Sequence, residues 1–235
     1  TGMSYTAGKI DTGISYDGID DYIYSHQAFT FPTDSFSLSF WIKRPTNTPT
    51  GSMFAFGSGS YAVAYLVGGK MWLETEDSLG NYQDLNDTVT NFDDGAWHHV
   101  VFVRDKANNL LLIYSDGKKM AQVADSRAGD FNVLSSGGIN WGAGDSTNPT
   151  DRFQGILDEG ALWNKALTGA EVATLYNRQS AIYLGATNNS ELDSSWMPKA
   201  SNLSGYWKLD NNAFDSRGNF TSVFNDPNVT GENHV

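Results

Sequence analysis

The sequence predicts an all-β protein, a two-sheet antiparallel β-sandwich of jelly-roll type with one short helix near residues 168–178. Three observations predict it. Apolar and polar residues alternate with a period of two in several runs, clusters of Gly, Asn, Asp and Ser punctuate those runs, and one segment alone shows a helical period. An aromatic content of 13%, with 24 Gly, suits many strands joined by tight turns.

The first strong strand is Ser35-Phe36-Ser37-Leu38-Ser39-Phe40-Trp41-Ile42-Lys43-Arg44. Phe36, Leu38, Phe40 and Ile42 share one face, and Ser37, Ser39, Trp41 and Lys43 the other, which predicts a half-buried strand. Pro45 and the run from Thr46 to Gly51 break it into a loop. Shorter strands are expected at 53–56, 61–67 and 71–75, with Gly68-Gly69 as a hairpin turn. Trp97-His98-His99-Val100-Val101-Phe102-Val103-Arg104 is apolar on both faces toward its end, as a central strand would be. Turn residues 105–109, a return over 110–114, and Asp116-Gly117 before 118–123 complete a three-strand meander.

Thr168-Gly169-Ala170-Glu171 fits a capping box, in which the Thr hydroxyl and the Glu carboxylate satisfy free amides at a helix start. Val172, Leu175 and Tyr176 follow at helical spacing. The Asn- and Ser-rich residues after the helix read as a linker. The expected organisation is a sandwich over 1–185, a linker over 186–202 and a separate terminal segment over 203–235. That segment opens with the strand Leu203-Ser204-Gly205-Tyr206-Trp207-Lys208-Leu209-Asp210.

At 235 residues the chain is long enough for one large sandwich. Its net charge of −12, from 27 acidic and 15 basic residues, repels phosphate backbones and argues against nucleic acid or anionic membranes as partners. Acid-rich loops do suit hard cations, which prefer oxygen ligands. With no cysteine, disulfide scaffolds, thiol catalysis and thiolate metal sites are excluded. No apolar run approaches a membrane span, and no signal peptide is visible after Thr1-Gly2-Met3.

Gly95-Ala96-Trp97-His98-His99-Val100, followed by Leu112-Ile113-Tyr114-Ser115-Asp116-Gly117-Lys118, resembles a hallmark of laminin G-like and pentraxin-like domains in the concanavalin A-like lectin/glucanase superfamily. Arg152-Phe153-Gln154-Gly155-Ile156-Leu157-Asp158-Glu159, Leu162-Trp163-Asn164-Lys165-Ala166-Leu167 and the helix after them resemble that family's closing strand and helix. Gly8-Lys9-Ile10 through Ile23 is similar to its opening. In that family a Tyr-Trp-x-Leu-Asp strand and an Asp-Ser-x-Gly-Asn turn precede the opening segment. Here Tyr206-Trp207-Lys208-Leu209-Asp210 and Asp215-Ser216-Arg217-Gly218-Asn219 come last. The chain is therefore circularly permuted, a slice of a tandem array, or a donor of this strand to a neighbouring copy. A lone strand exposes unpaired amides, so some sheet must take it, and self-completion is the preferred reading.

The resemblance implies a structural Ca2+ where the opening turn meets the closing strand, through Asp17, Asp20 or Asp21 and Asp158, with the Gly18 carbonyl accessible. The same carboxylates could instead cap turns. The loop from Asp145 to Asp151 carries oxygen-bearing residues at alternate positions but lacks the Gly of an EF-hand loop. For a sugar, whose apolar face stacks on aromatic rings, the candidates are Trp72, Tyr82 and Trp141, with Asp145, Asn148, Asp151 and Arg152 on a ligand rim. Trp41, Trp97 and Trp163 are expected in the core.

Glu74 and Glu76 share a strand face, as glycoside hydrolase carboxylates can, but the Glu-x-Asp-x-x-Glu pattern is absent, and Asp77 before a turn is expected to be solvated. His98 and His99, adjacent on a strand, point to opposite faces and cannot form one compact metal site. Together these features predict a non-catalytic, calcium-stabilised binding or adhesion module for a glycan or another surface polymer, at a cell or virion surface. A structural subunit of a phage-like virion or filament, tied to neighbouring copies through 203–235, is the alternative. A hydrolase is disfavoured.

Overall fold

The computed structural model describes residues 3–25, 35–46, 48–57, 61–125, 139–144, 151–178, 202–210, 216 and 222–225. In chain order the strands are β1 (Ser4–Ala7), β2 (Thr12–Asp17), β3 (Tyr22–Ser25), β4 (Phe36–Lys43), β5 (Gly51–Gly57), β6 (Tyr61–Val67), β7 (Lys70–Glu76), β8 (Tyr82–Asp87), β9 (Trp97–Asp105), β10 (Leu110–Ser115), β11 (Lys118–Ala124), β12 (Ile139–Trp141) and β13 (Gln154–Trp163). Helix α1 (Gly169–Asn177) follows, then β14 (Leu203–Trp207) and β15 (Ser222–Asn225).

All pairings are antiparallel. One sheet has eight strands, in the order β1-β2-β13-β4-β9-β10-β11 with β14 also on β13. The other has seven, in the order β15-β3-β12-β5-β6-β7-β8. The expected sandwich and meander are both present. Phe36, Leu38, Phe40, Ile42, Phe102 and Ile113 of the first sheet face Phe54, Leu66, Met71, Leu73 and Trp141 of the second in one apolar core. The meander turns at Asp116-Gly117, whose φ angles of 51° and 77° suit the hairpin twist. A Cβ at Gly117 would sit 3.0 Å from the Tyr176 ring of α1, so the turn also needs a residue without a side chain.

β4 departs from the half-buried expectation. Seven of its eight residues are buried, on both faces. The reason is α1, which with the segment before it forms a second apolar layer against Val101, Val103 and Tyr114 on the outward face of the eight-stranded sheet. The β4 serines serve that cover: Ser37 Oγ donates to Lys165 O (2.8 Å) and accepts from Leu167 N (2.9 Å), and Ser39 Oγ accepts from Trp163 Nε1 (3.2 Å). Trp41 stacks on Tyr176 at 5.7 Å. The capping box holds α1 at its start, with Glu171 N bonded to Thr168 Oγ1 and Thr168 N to Glu171 Oε2. Trp163 and Trp41 are core residues as expected, whereas Trp97, the first residue of β9, is only half-buried.

The terminal segment adds to both sheets. Residues 154–157 of β13 pair with β2, and residues 160–163 pair along the same edge with β14. Between them Asp158 and Glu159 interrupt the register opposite β4, with Glu159 at a φ of 53°. Tyr206, Trp207 and Leu209 are fully buried, and Trp207 lies 5.5 Å from Trp141. β15 pairs with β3 in the other sheet. The linker except Asn202, and all of the 215–219 turn except Ser216, lie outside the described residues.

Trp207→Ala removes a fully buried indole and is expected to cost about 3–5 kcal/mol of unfolding free energy. Chemical denaturation of the full chain reads this out, and a loss under about 1 kcal/mol would mean that β14 does not pack on this core.

Candidate functional site

With the central strands of the eight-stranded sheet covered by α1, the outward face of β6, β7 and β8 offers a broad sheet surface of mixed chemistry. The register places Tyr61, Glu76 and Tyr82 in one row, Val63, Glu74 and Asp84 in the next, and Tyr65, Trp72 and Asn86 in a third. Their neighbours along each strand, among them Ala62, Ala64, Leu73, Thr75 and Leu85, point into the core and are buried. Tyr65 and Trp72 stack with their rings 14° from parallel and centroids 6.2 Å apart. Tyr82, 55% exposed, caps the far row.

Glu74 lies at the centre. Tyr61 donates its hydroxyl to Oε1 at 2.6 Å and Tyr65 to Oε2 at 3.4 Å, and the Tyr82 hydroxyl lies close enough to feel the charge of this carboxylate. Partial burial, followed by the Glu74 carboxylate, pushes the Tyr65 hydroxyl up to about 12 and those of Tyr61 and Tyr82 higher still. The hydroxyls therefore remain protonated donors at any physiological pH. Flat rings beside an oriented carboxylate suit a ligand with an apolar face and polar substituents.

The sequence pointed to Trp72 and Tyr82 but missed Tyr61, Tyr65 and Asp84. The hairpin at Gly68-Gly69 holds the signal, since counting back from it pairs Tyr65 with Trp72 and Tyr61 with Glu76. Glu74 and Glu76 do share a face, as expected. Asp77 is not solvated but fully buried, because its Oδ1 accepts from Leu79 N (3.0 Å) and Asn81 N (2.9 Å) and so builds the β7–β8 turn.

A second cluster lies at the other end of the sandwich. Carboxylate oxygens of Asp17, Asp20 and Asp21 converge within 4.8 Å of one another. Two of the three also serve the turn: Asp17 Oδ1 accepts from Ile19 N (2.8 Å), and Asp21 Oδ2 accepts from Asp17 N (2.9 Å). The Arg152 guanidinium lies 4.7 Å from the Tyr22 ring centre and faces the charges of Asp20 and Asp21. Beside the cluster is an open depression of about 630 Å³ lined by Ser15, Asp17, Ile19, Lys43, Arg44 and Gln154.

The structure separates Asp158 from this cluster. Register pairs Gln154 with Asp17, so Asp158 stands four residues along β13, toward the opposite end of β2. Its Oδ2 accepts from Lys9 N (2.8 Å) and Ile10 N (2.9 Å). A Cβ at Gly8 would lie 2.7 Å from that oxygen, so glycine permits the approach. Burial pushes the Asp158 carboxyl up to about 8 despite the two amides, and neighbouring Glu159 up to about 7 despite the Tyr206 hydroxyl 2.5 Å away.

The remaining candidates scatter. Trp141 is not on a ligand surface but in the core, edge-on to Phe40 and Phe54. Arg152 belongs to the acidic turn rather than to the Trp72 face. Asp151 is exposed, and its carbonyl accepts from Ser52 N (2.8 Å). Asp145 and Asn148 lie outside the described residues. His98 and His99 point to opposite faces as expected. His98 bonds Asp116 (2.8 Å) and Asp94 (3.2 Å), which outweigh burial and raise its pKa, while burial drives His99 down to about 3 against Trp41.

A family model described as the concanavalin A-like lectin/glucanases superfamily matches residues 17–173. No curated protein matches the sequence. Among solved structures, the binding domain of Paraclostridial mosquitocidal protein 1 superposes with a TM-score of 0.60 at 16% identity, over 75% of this chain and 46% of that one. This chain thus spans less than half of that structure. The native heptameric SAP-like pentraxin of Limulus polyphemus gives 0.54 at 15% identity, over 73% and 84% of the two chains. The CBM40 of the Ruminococcus gnavus IT-sialidase, bound to α2,3-sialyllactose, gives 0.54 at 12% identity, over 69% and 97%. These likenesses show the fold.

The raised Asp158 and Glu159 set a pH dependence. Their folded pKa values of about 8 and about 7 exceed the unfolded values of about 4, so the native state binds more protons between those limits. Their contribution to stability is present in full below about pH 4 and is lost as pH rises through about 7 to 8. Chemical denaturation at pH 6 and pH 8.5 is expected to show this loss, and Asp158→Asn to reduce it. An unchanged slope in Asp158→Asn would count against the assignment.

Proposed function

This chain belongs to the concanavalin A-like lectin/glucanases superfamily, and from that premise we propose that it is a non-catalytic binding module that recognises a glycan on the outward face of β6, β7 and β8. One observation carries the reading: Trp72, Tyr65, Tyr61 and Tyr82 surround the single carboxylate of Glu74, which tyrosine hydroxyls hold in place. A sugar ring stacks its apolar face on Trp72 and Tyr65 and offers its polar groups to Glu74 and Asp84. The binding domain and the sialyllactose-bound module among the similar folds support a binding role. Glu74 and Glu76 do not make a persuasive hydrolase pair, because the Glu-x-Asp-x-x-Glu pattern is absent and two tyrosine hydroxyls that stay protonated hold Glu74 as an oriented acceptor. β14 paired on its own β13 supports a self-completed module over a subunit tied to a neighbour. A place outside the cell, at a cell or virion surface, fits such a module, and no helix among the described residues is long and apolar enough to cross a membrane.

Calcium is the second part of the proposal. Three converging carboxylates supply part of the six to eight oxygens that calcium takes, at about 2.3–2.6 Å each, and the Gly18 carbonyl of the same turn would add one. The residues that would hold it are Asp17, Gly18, Asp20 and Asp21, and a bound ion would pin the turn between β2 and β3. Arg152 opposes the ion by already answering the Asp20 and Asp21 charges.

On an array of neutral, amino and acidic oligosaccharides, Trp72→Ala is expected to weaken binding by at least about tenfold, a loss of about 1.4 kcal/mol. Binding that survives Trp72→Ala but is lost in Asp20→Asn would move the ligand to the acidic turn. Calcium in excess over a chelator is expected to raise the melting temperature of the wild type but not of an Asp17→Asn/Asp20→Asn variant. An equal melting temperature with and without calcium would remove the ion from the account.

A further inference from the structure

The charge of the β6–β8 face narrows the class of ligand. Glu74, Glu76 and Asp84 point outward from two adjacent rows, among aromatic rings whose faces are themselves electronegative. β6, β7 and β8 carry a single cation, Lys70, at the start of β7. Its ammonium is committed to the carbonyls of Val89 (3.1 Å) and Thr90 (3.0 Å), away from Glu74. Tyr61 and Tyr65 orient the Glu74 carboxylate by hydrogen bonds but do not cancel its charge. The chain as a whole adds a net charge of −12.

We propose that this face selects a polysaccharide bearing free amino groups, one ammonium seating on Glu74 while its sugar ring stacks on Trp72. This rests on the placement of the ligand given above and adds its charge. An ammonium there meets the Glu74 carboxylate directly, with Glu76 and Asp84 on the same face adding negative charge around it, and all three favour a cation. A neutral sugar keeps only the stacking and hydroxyl contacts. A carboxylated or sulfated sugar meets three like charges with no guanidinium or free ammonium on these strands to answer it.

The matched probes are a chitosan oligosaccharide, with free amines, and its fully N-acetylated counterpart, titrated calorimetrically into the wild type, Trp72→Ala and Glu74→Gln at low and high salt. The free-amine oligomer is expected to bind at least tenfold more tightly than the acetylated one, and salt to narrow the gap. Glu74→Gln is expected to abolish most of that preference, and Trp72→Ala to weaken both oligomers while leaving the charge intact. Equal affinities, or a preference for the acetylated oligomer, overturn the amine inference, and sensitivity to Trp72→Ala would then still uphold the platform. Binding of neither oligomer, or amine binding indifferent to Trp72→Ala, overturns the inference and the platform together, the latter outcome showing only diffuse attraction to an acidic chain.

Discussion

Burial of the central strands β4, β9, β10 and β13 of the eight-stranded sheet on both faces is the constraint from which the rest of the arrangement follows. Val101 and Val103 of β9 project outward as apolar residues, and Ser37, Ser39 and Trp41 of β4 project beside them with polar atoms to satisfy. Such a surface left in water would expose contiguous apolar area, and α1 resolves this by laying Val172 and Leu175 on it. The serine hydroxyls then bond the backbone of the covering segment, so the polar face of β4 becomes an anchor for the lid. With those central strands covered, the mixed aromatic and acidic face of β6–β8 stays open on the other sheet, where we propose that the ligand binds.

The edge of β13 is the second consequence. This ten-residue strand is longer than β2, which covers only its first half, and β14 occupies the remainder. At the junction Asp158 and Glu159 turn inward among Tyr206, Lys208, Arg178 and Asp210, and Asp210 in turn accepts from Thr12 N (2.9 Å). Buried carboxyls are costly when ionised, so this seam joins the two ends of the chain through groups that prefer to be neutral. The last described strands of the chain thus fill sheet edges beside its first ones, β14 next to β2 along β13 and β15 on β3.

Much of the fold could be read from the residues, because period-two alternation and turn chemistry are local. Gly68-Gly69, Asp116-Gly117 and the Thr168–Glu171 capping box each act within a few residues and stand where expected. What was not readable depends on distant partners. The two-faced burial of β4 is set by a helix more than 125 residues away, and Asp158 is claimed by amides of residues 9 and 10. Trp72 and Trp141 look alike in sequence, and only the pairing of their strands decides that one lies on the outward face and the other in the core. The acidic residues were the hardest to separate, since Asp17, Asp21 and Asp77 all bond backbone amides of their own turns.

The central claim is that a ligand lies on β6, β7 and β8, and the indole N–H resonances of the 7 tryptophans test it most directly. Titrating the chitosan oligosaccharide into labelled protein is expected to shift the Trp72 indole and the backbone amides of β6–β8, leaving the buried Trp141, Trp163 and Trp207 indoles in place. Shifts confined to residues 17–21 and the depression beside them, with Trp72 unmoved, would contradict the account.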